Sequence, residues 1–427
     1  MDIEVTEATS LKGAIRAPPS KSYTHRAIIL AGLSAGRTTI ESPLLAADPL
    51  VTIEVMRAAG ADIQIDGNDL KVIGNDGNVV VPSKPVNLSG SGTTMGVMPS
   101  IFSLCDKRVE LIGGESMKKK RLGQLLEALE GAGVITSSNA GSPPITVQGP
   151  IKGGELILNG DVNSQFISGL LMACPLRGSA TTIKGLMTIK EQPYLDVTLD
   201  AISSFGGIVH KRGSMEFEIP GRQTYSCDKY VVEGSFAASS FILGASAITD
   251  DKITVTNLPE DSLQGDKFFI DLLKMMGANV RTRDGEVSVS GAKSLRAIDI
   301  DLSQAPDLLP VLAVMCSLAH GRSRLYNVEQ LRFKSQDRIS GIAQGLKRMG
   351  AKIEEKQDGL VIDGCDGLVG STINSFGDHK LVMAFTVAAQ RASGKTRITH
   401  AESVKSSYPN FIEDMKKLGA NINLVPS

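Results

Sequence analysis

The chain has 427 residues, and at about 150 residues per domain that length argues for two or three domains. Hydrophobic residues make up 42%, enough for real cores, and 45 Lys and Arg against 46 Asp and Glu give a net charge of −1, which excludes a globally basic nucleic-acid binder. Trp is absent, aromatics are only 4% and Gly numbers 44, so small aliphatic side chains build the cores and glycines sit at repeated turns or close approaches to a ligand.

The opening MDIEVTEATS is acidic and strand-like, unlike a signal or transit peptide. Ile3–Thr6 reads as a strand without a sequence neighbour. Pro18-Pro19 then suits a stiff crossing between domains. From Pro19 onward one pattern recurs six times. A polar or small opening starts a helix rich in Ala, Leu, Ile and Met, apolar round most of its circumference and therefore buried. An amphipathic helix follows, stops at a glycine C-cap and gives way to an alternating strand, a turn and often a second strand. The openings are 19–26, 89–94, 160–165, 233–238, 305–307 and 376–380. The stop glycines, Gly60, Gly133, Gly207, Gly277, Gly350 and Gly419, are 73, 74, 70, 73 and 69 residues apart. The longest clean apolar stretch, Val311–Ala319, falls far short of the ~20 residues of a membrane span.

The last copy ends at NINLVPS without a partner strand, so Ile3–Thr6 is its economical completion. The pattern predicts an α/β chain in two domains. Residues 1–15 with 228–427 form the first, holding repeats four to six and completed by the N-terminal strand. Residues 18–224 form the second, holding repeats one to three, with hinge crossings near 14–19 and 223–231.

Cys105, Cys174, Cys227, Cys316 and Cys365 are odd in number and include no CxxC pair, which reads as reduced thiols of a cytoplasmic protein. His25, His210, His320, His379 and His400 are scattered without metal-ligand spacing, so no metal is expected. Parallel buried helices would gather their N-termini on one face of each domain, each with unpaired amides and about half a positive charge. Two such faces make a cleft suited to anions. The openings add Lys21, Ser22, Arg26, Ser91, Thr93, Asn163, Ser164, Gln165, Asp307, Asp378, His379 and Lys380. Each Ser, Thr, Asn or Asp among them is equally an ordinary N-cap. The basic run 118–121 serves a solvated face or a ligand. Alternation sets Arg332 and Lys334 on one side, for ion pairing or for binding, and Lys405 is a further basic position.

At these residues the sequence resembles the 5-enolpyruvylshikimate-3-phosphate synthases (3-phosphoshikimate 1-carboxyvinyltransferases), enolpyruvyl transferases of the shikimate pathway. PPSKSYTHRAIILAGLSAG matches the opening P-x-S-K-S-x-x-x-R segment, LSGSGTTM is similar to L-G-N-A/S-G-T, and GDVNSQF to G-D-x-S-S-Q. PDLLP, LRFKSQDR, GDHK and KSSYP follow in the family's order, so the resemblance spans essentially the whole chain. It implies a two-domain, inside-out α/β barrel-like fold of six βαβαββ repeats, three per domain. The implied reaction transfers the enolpyruvyl group of phosphoenolpyruvate to the 5-hydroxyl of shikimate 3-phosphate and releases phosphate, without metal or organic cofactor. The implied partners are those two small molecules, with no nucleic acid and no membrane, and the implied state is a cytoplasmic monomer.

Carried over by position, Lys21 bridges both substrates and aids proton transfer, and Ser22 and Arg26 hold the shikimate carboxylate. Gly92 and Thr93 let backbone approach phosphoenolpyruvate. Ser164 and Gln165 line the shikimate phosphate region, Gln165 touching both ligands, and Asn163 beside them is counted as substrate-binding. Asp307 accepts the 5-hydroxyl proton, Lys334 contacts shikimate 3-phosphate, and Gln330 is counted as substrate-binding. Arg338, His379 and Lys405 surround phosphoenolpyruvate and Lys380 is counted as substrate-binding, with His379 and Lys405 counted as catalytic beside Lys21 and Asp307. Lys120 stands at the family's arginine, and Arg121 is the candidate to replace its guanidinium.

Some family positions differ. Ser335 replaces a glutamate assigned to proton transfer, and serine is no acid or base near neutral pH. Lys380 replaces an arginine, losing a planar fork. Gly96 replaces another arginine, and Glu191 brings a carboxylate near a phosphate position. These changes leave room for a diverged family member with low activity, another acceptor or an anion-binding role. The sister enzymes that use UDP-N-acetylglucosamine carry a cysteine on a loop that here spans about residues 113–122 and has none; Cys105 lies earlier.

Overall fold

The computed structural model describes residues 1–426 apart from 116, 118–119, 160–162, 187–190, 250, 292–293 and 335. The chain divides into two compact units, residues 19–232 and residues 1–18 with 233–427.

In the unit of residues 19–232 the helices are α1 (Lys21–Leu33), α2 (Ala47–Ala58), α3 (Gly92–Phe102), α4 (Gly123–Gly131), α5 (Ser164–Ala173) and α6 (Pro193–Ser204). The odd-numbered helices are the apolar ones. Every residue of α1 from Tyr23 to Leu33 is buried, as is every residue of α3 from Thr94 onward. The even-numbered helices bury one face. Among the described residues, three four-stranded sheets complete the unit. In the second repeat, Val86–Asn87 runs parallel to Val109–Ile112, which pairs antiparallel with Ser142–Gln148, itself in a hairpin with Ile135–Asn139. Strand, buried helix, strand, outer helix and hairpin give the βαβαββ order.

The first repeat takes its first strand from far along the chain. Lys229–Val231 pairs in parallel with Arg37–Glu41, setting Lys229 opposite Thr39. The sequence placed 228–231 with the other half. This pairing puts them in the 19–232 unit, because three residues of strand follow their ladder partner.

In the other unit the helices are α7 (Phe236–Ile248), α8 (Phe269–Met275), α9 (Leu309–Ser317), α10 (Arg338–Arg348), α11 (His379–Ala389) and α12 (Phe411–Lys417). The apolar α7, α9 and α11 pack on one another. Gly13–Arg16 supplies the parallel first strand of the fourth repeat, beside Lys252–Thr256. Asp2–Thr6 lies between Lys395–Thr399 and Asn421–Val425, antiparallel to both, and fills the sixth sheet.

The helix-ending glycines have left-handed backbones at Gly60, Gly133, Gly277, Gly350 and Gly419. The third repeat departs from the sequence pattern: Gly206, at φ +78°, turns the chain, not Gly207. Gly207 is needed for space, since a Cβ there would lie 2.6 Å from both Ile202 Cγ2 and Tyr225 Cε1.

Candidate active site

In the unit of residues 19–232, Ser20, Ser91 and Asn163 cap α1, α3 and α5 by accepting from the amides of Tyr23, Thr94 and Gln165. Asn163 is thus an N-cap, the alternative its residue type allowed. Ser22, Thr93, Ser164 and Gln165 fall inside the first turns. α3 and α5 approach closely because Gly169 has no side chain; a Cβ there would lie 2.9 Å from the Val97 carbonyl oxygen. Gln165 therefore reaches α3, where its Nε2 donates to Thr93 Oγ1 at 3.2 Å. Lys120 Nζ donates to Gln165 Oε1 at 3.1 Å and to the Gly92 carbonyl. Gly96 makes the room: a Cβ there would meet Gln165 Oε1 at 2.9 Å.

Lys21 Nζ forms a half-exposed ion pair with Asp48 Oδ2 at 3.1 Å. Arg26 is buried and largely engaged by the fold. Its Nε donates to Thr198 Oγ1 (2.7 Å), Nη2 to Ser168 Oγ (3.2 Å) and the Tyr194 carbonyl (2.8 Å), and Nη1 to the Ser22 carbonyl (2.9 Å). Burial lowers its pKa to about 10. Of its five donors, one Nη1 hydrogen is left over among the described residues. Arg121 does not join this cluster. Its exposed guanidinium lies over a hairpin turn instead, where Nη1 donates to the Ala140 carbonyl at 3.3 Å.

His25, one turn beyond Lys21, is fully buried, with a pKa lowered to about 3 by burial first and then by Lys21 and Arg26, against a raising effect of Asp48. The unfolded chain binds that proton near pH 6.5, so between these values the unfolded state holds more protons and stability falls as pH drops. The expected slope from this group is up to about 1.4 kcal/mol per pH unit. Urea midpoints from pH 6.5 to pH 4 are expected to fall more steeply for the native chain than for His25→Asn; parallel curves would contradict the assignment.

In the other unit, Asp307 lies in the 3-10 turn Pro306–Leu308 that leads into α9, Arg338 opens α10, and Lys380 is the second residue of α11. Asp307 Oδ1 pairs with Arg338 Nη1 at 3.0 Å and Oδ2 with Lys380 Nζ at 3.1 Å. Arg338 Nε pairs with Asp378 Oδ2 at 2.9 Å. Asp378 is also the α11 N-cap, accepting from the amides of Lys380 (2.8 Å) and Leu381 (3.3 Å). Burial pushes the Asp307 pKa up, but Lys380, Arg338 and Lys334 outweigh it and hold the carboxyl well below the usual range. Asp378 is brought down to about 2, with Arg338 and His379 overcoming burial.

Lys334 is exposed and His379 half-buried at the head of α11. Lys405 is exposed on the turn Ala401–Ser406, which buried Ala401 and Val404 anchor. Both amide atoms of Gln330 are buried without a hydrogen-bond partner among the described residues, an arrangement that calls for a ligand or water. Arg332 takes the ion-pairing alternative, bonding Asp337 at 2.8 Å and Glu355 at 2.9 Å. Ser335 lies outside the described residues, as do residues 118–119 of the basic run and 160–162 of the third opening. Among the described residues no group of three or more His, Cys, Asp or Glu is arranged to hold a metal ion. Cys105 is buried beyond the end of α3.

The sequence reading missed the acids that hold the cations. Asp48 carries no local signal, being only an acid in the first turn of α2. Asp378 was legible as a cap, but not as the partner of Arg338, which is 40 residues away.

The model of the family EPSP synthase (3-phosphoshikimate 1-carboxyvinyltransferase) matches residues 5–415. The chain belongs to the EPSP synthase family. Among relatives named 3-phosphoshikimate 1-carboxyvinyltransferase, that of Methanocaldococcus jannaschii is 39% identical over 98% of this chain and 99% of its own length. That of Methanocella arvoryzae is 41% identical over 96% and 97%. A solved EPSP synthase of Acinetobacter baumannii superposes with a TM-score of 0.86, covering 100% of both chains at 24% identity, which supports the fold.

Proposed function

We propose that this EPSP synthase family member transfers the enolpyruvyl group of phosphoenolpyruvate to the 5-hydroxyl of shikimate 3-phosphate. The observation that carries the reading is Asp307, a carboxylate set among Lys380, Arg338 and Lys334 where α9, α10 and α11 begin. Two substrates with two phosphates and two carboxylates need such cations, and the reaction needs a base beside them.

In this reading Asp307 takes the proton of the 5-hydroxyl as its oxygen bonds to C2 of phosphoenolpyruvate. A proton is delivered to C3, which becomes a methyl group, with Lys21, His379 and Lys405 as the donor candidates. The tetrahedral intermediate then loses phosphate as the methyl group returns a proton, and the double bond reforms. Arg338, Lys380 and Lys405 balance phosphoenolpyruvate. Ser22, Ser164, Gln165, Gln330 and Lys334 hold shikimate 3-phosphate, with the remaining Nη1 hydrogen of Arg26 on its carboxylate. Gly92, Thr93 and Lys120 meet phosphoenolpyruvate at the α3 turn. Asp307 works as a base only once an incoming anion draws Lys380 off its Oδ2, since a doubly paired carboxylate holds a proton poorly. No described helix is long and apolar enough to cross a membrane.

A coupled phosphate-release assay with shikimate 3-phosphate and UDP-N-acetylglucosamine as rival acceptors tests the reading. Turnover with shikimate 3-phosphate alone is expected; turnover with the nucleotide sugar, or with neither, would refute it. A narrower outcome concerns Gly96→Ala. The added methyl would meet Gln165 Oε1 at 2.9 Å and Gln165 Cβ, which is fixed to α5, at 3.0 Å, so the amide must swing away and α5 must yield slightly; stability should fall by about 1–3 kcal/mol while KM rises about threefold to tenfold. Urea denaturation and steady-state kinetics separate the two effects.

A further inference from the structure

A buried row of hydrogen bonds crosses the unit of residues 19–232, and the mechanism above leaves it unused. His25 Nδ1 of α1 lies 2.8 Å from Thr52 Oγ1 of α2. Thr52 Oγ1 lies 2.8 Å from Thr94 Oγ1 of α3, and Thr94 Oγ1 lies 2.6 Å from Ser91 Oγ, the cap of that helix. All four side chains are at most 1% exposed. A solvent-shielded polar chain through three helices costs burial of each group, which the hydrogen bonds between its members offset.

The row also has a direction. Each hydroxyl has one proton to give, and His25 Nε2 is buried without a partner among the described residues. If Nδ1 were the acceptor, Nε2 would carry an orphaned N–H, which is rarer in interiors than an under-used acceptor. The cheaper arrangement has Nδ1–H donating to Thr52, Thr52 to Thr94 and Thr94 to Ser91. Ser91 Oγ then accepts from the Thr94 hydroxyl and, at 3.3 Å, from the Thr94 amide. Its own proton is left to donate at the α3 N-terminus, immediately before Gly92 and Thr93.

We propose that His25 is a positioning residue for the α3 anion-binding turn: through Thr52 and Thr94 it fixes the direction of the row and holds Ser91, Gly92 and Thr93 in register with the Lys21–Ser22 turn of α1. His25 touches no substrate in this account. The inference rests on the reading that phosphoenolpyruvate meets Gly92 and Thr93, and it makes His25 a determinant of phosphoenolpyruvate affinity in particular.

The experiment compares full-length His25→Leu, His25→Asn, Thr52→Val and Thr52→Ser with the native chain. KM is measured separately for phosphoenolpyruvate and shikimate 3-phosphate, with calorimetric binding of shikimate 3-phosphate alone. Thr52→Val is isosteric and keeps the packing, so it carries the test should His25→Leu fold poorly. The expected result is a rise of about tenfold in KM for phosphoenolpyruvate in Thr52→Val and His25→Leu, the size of one lost hydrogen bond. Shikimate 3-phosphate affinity should stay within about twofold. Thr52→Ser, which restores the hydroxyl, and His25→Asn, whose amide can donate from the Nδ1 position, should recover most of the loss. An unchanged KM in Thr52→Val, equal losses for both substrates, or no difference between Val and Ser at position 52 would overturn the proposal. An inactive native chain would instead overturn the functional reading on which it rests.

Discussion

Asp307→Asn is expected to lower turnover with both substrates by about 10² to 10³-fold, the usual contribution of a positioned general base. The amide keeps the shape but cannot accept the 5-hydroxyl proton. Binding should not weaken. Asp307 is paired with Arg338 and Lys380, so removing its charge releases Lys380 for anionic ligands while Arg338 stays paired with Asp378. Affinity for phosphoenolpyruvate in the presence of shikimate 3-phosphate should therefore hold or improve while kcat collapses. Steady-state phosphate release combined with calorimetry distinguishes this from an unfolded variant. An Asn variant with native turnover would remove Asp307 from the chemistry, and lost binding at native kcat would make it a ligand instead.

Arg338→Met should have the largest effect on stability. Arg338 is 5% exposed and Asp378 3%, and Arg338 is the cation on both Asp378 and Asp307. Truncating one partner of a buried ion pair leaves the other charge uncompensated and costs about 3–5 kcal/mol. The sign with pH follows from Asp378. Its folded pKa of about 2 lies below its ordinary 3.8, so its contribution is present above pH 3.8 and lost as pH falls through about 2. In Arg338→Met the buried carboxyl loses its cation, its pKa rises, and protonation relieves part of the strain. The gap in urea stability between native chain and variant should be wide at pH 7 and narrower near pH 4. Adding Asp378→Asn should recover part of the loss. A gap below about 1 kcal/mol at pH 7 would show that the pair is solvated and weak.

The fold was legible wherever local chemistry repeats. Six helix-ending glycines at near-constant spacing and six apolar helices expose the repeat, because a glycine cap and an all-round apolar helix are local signals. The two crossing strands were not legible. Gly13–Arg16 and Lys229–Val231 are four and three residues long, too short to show alternation, and each finds its partner strand roughly two hundred residues away. Gly206 and Gly207 stand side by side, and only backbone geometry separates the one that turns from the one that makes room.

The site followed the same rule. Charged residues at helix starts could be named from their motifs, but not their present partners. Arg26 is bound by Thr198, Ser168 and Tyr194, which lie 142 to 172 residues away. Lys120 and Arg121 are adjacent in sequence yet differ in direction, one meeting Gln165 and the other Ala140. The substitution at Gly96 reads as a lost cation in the sequence and as a berth for Gln165 in the structure.

The proposed reaction is an addition–elimination in which C3 of phosphoenolpyruvate is protonated on the way to product. Running the reaction in deuterium oxide and examining the product by proton NMR tests it directly. Deuterium should enter the enolpyruvyl methylene, since the transient methyl group mixes one solvent hydron with the two original hydrogens before one leaves. Product formed with phosphate release but with a methylene free of deuterium, or saturable binding of both substrates with no phosphate released, would contradict it.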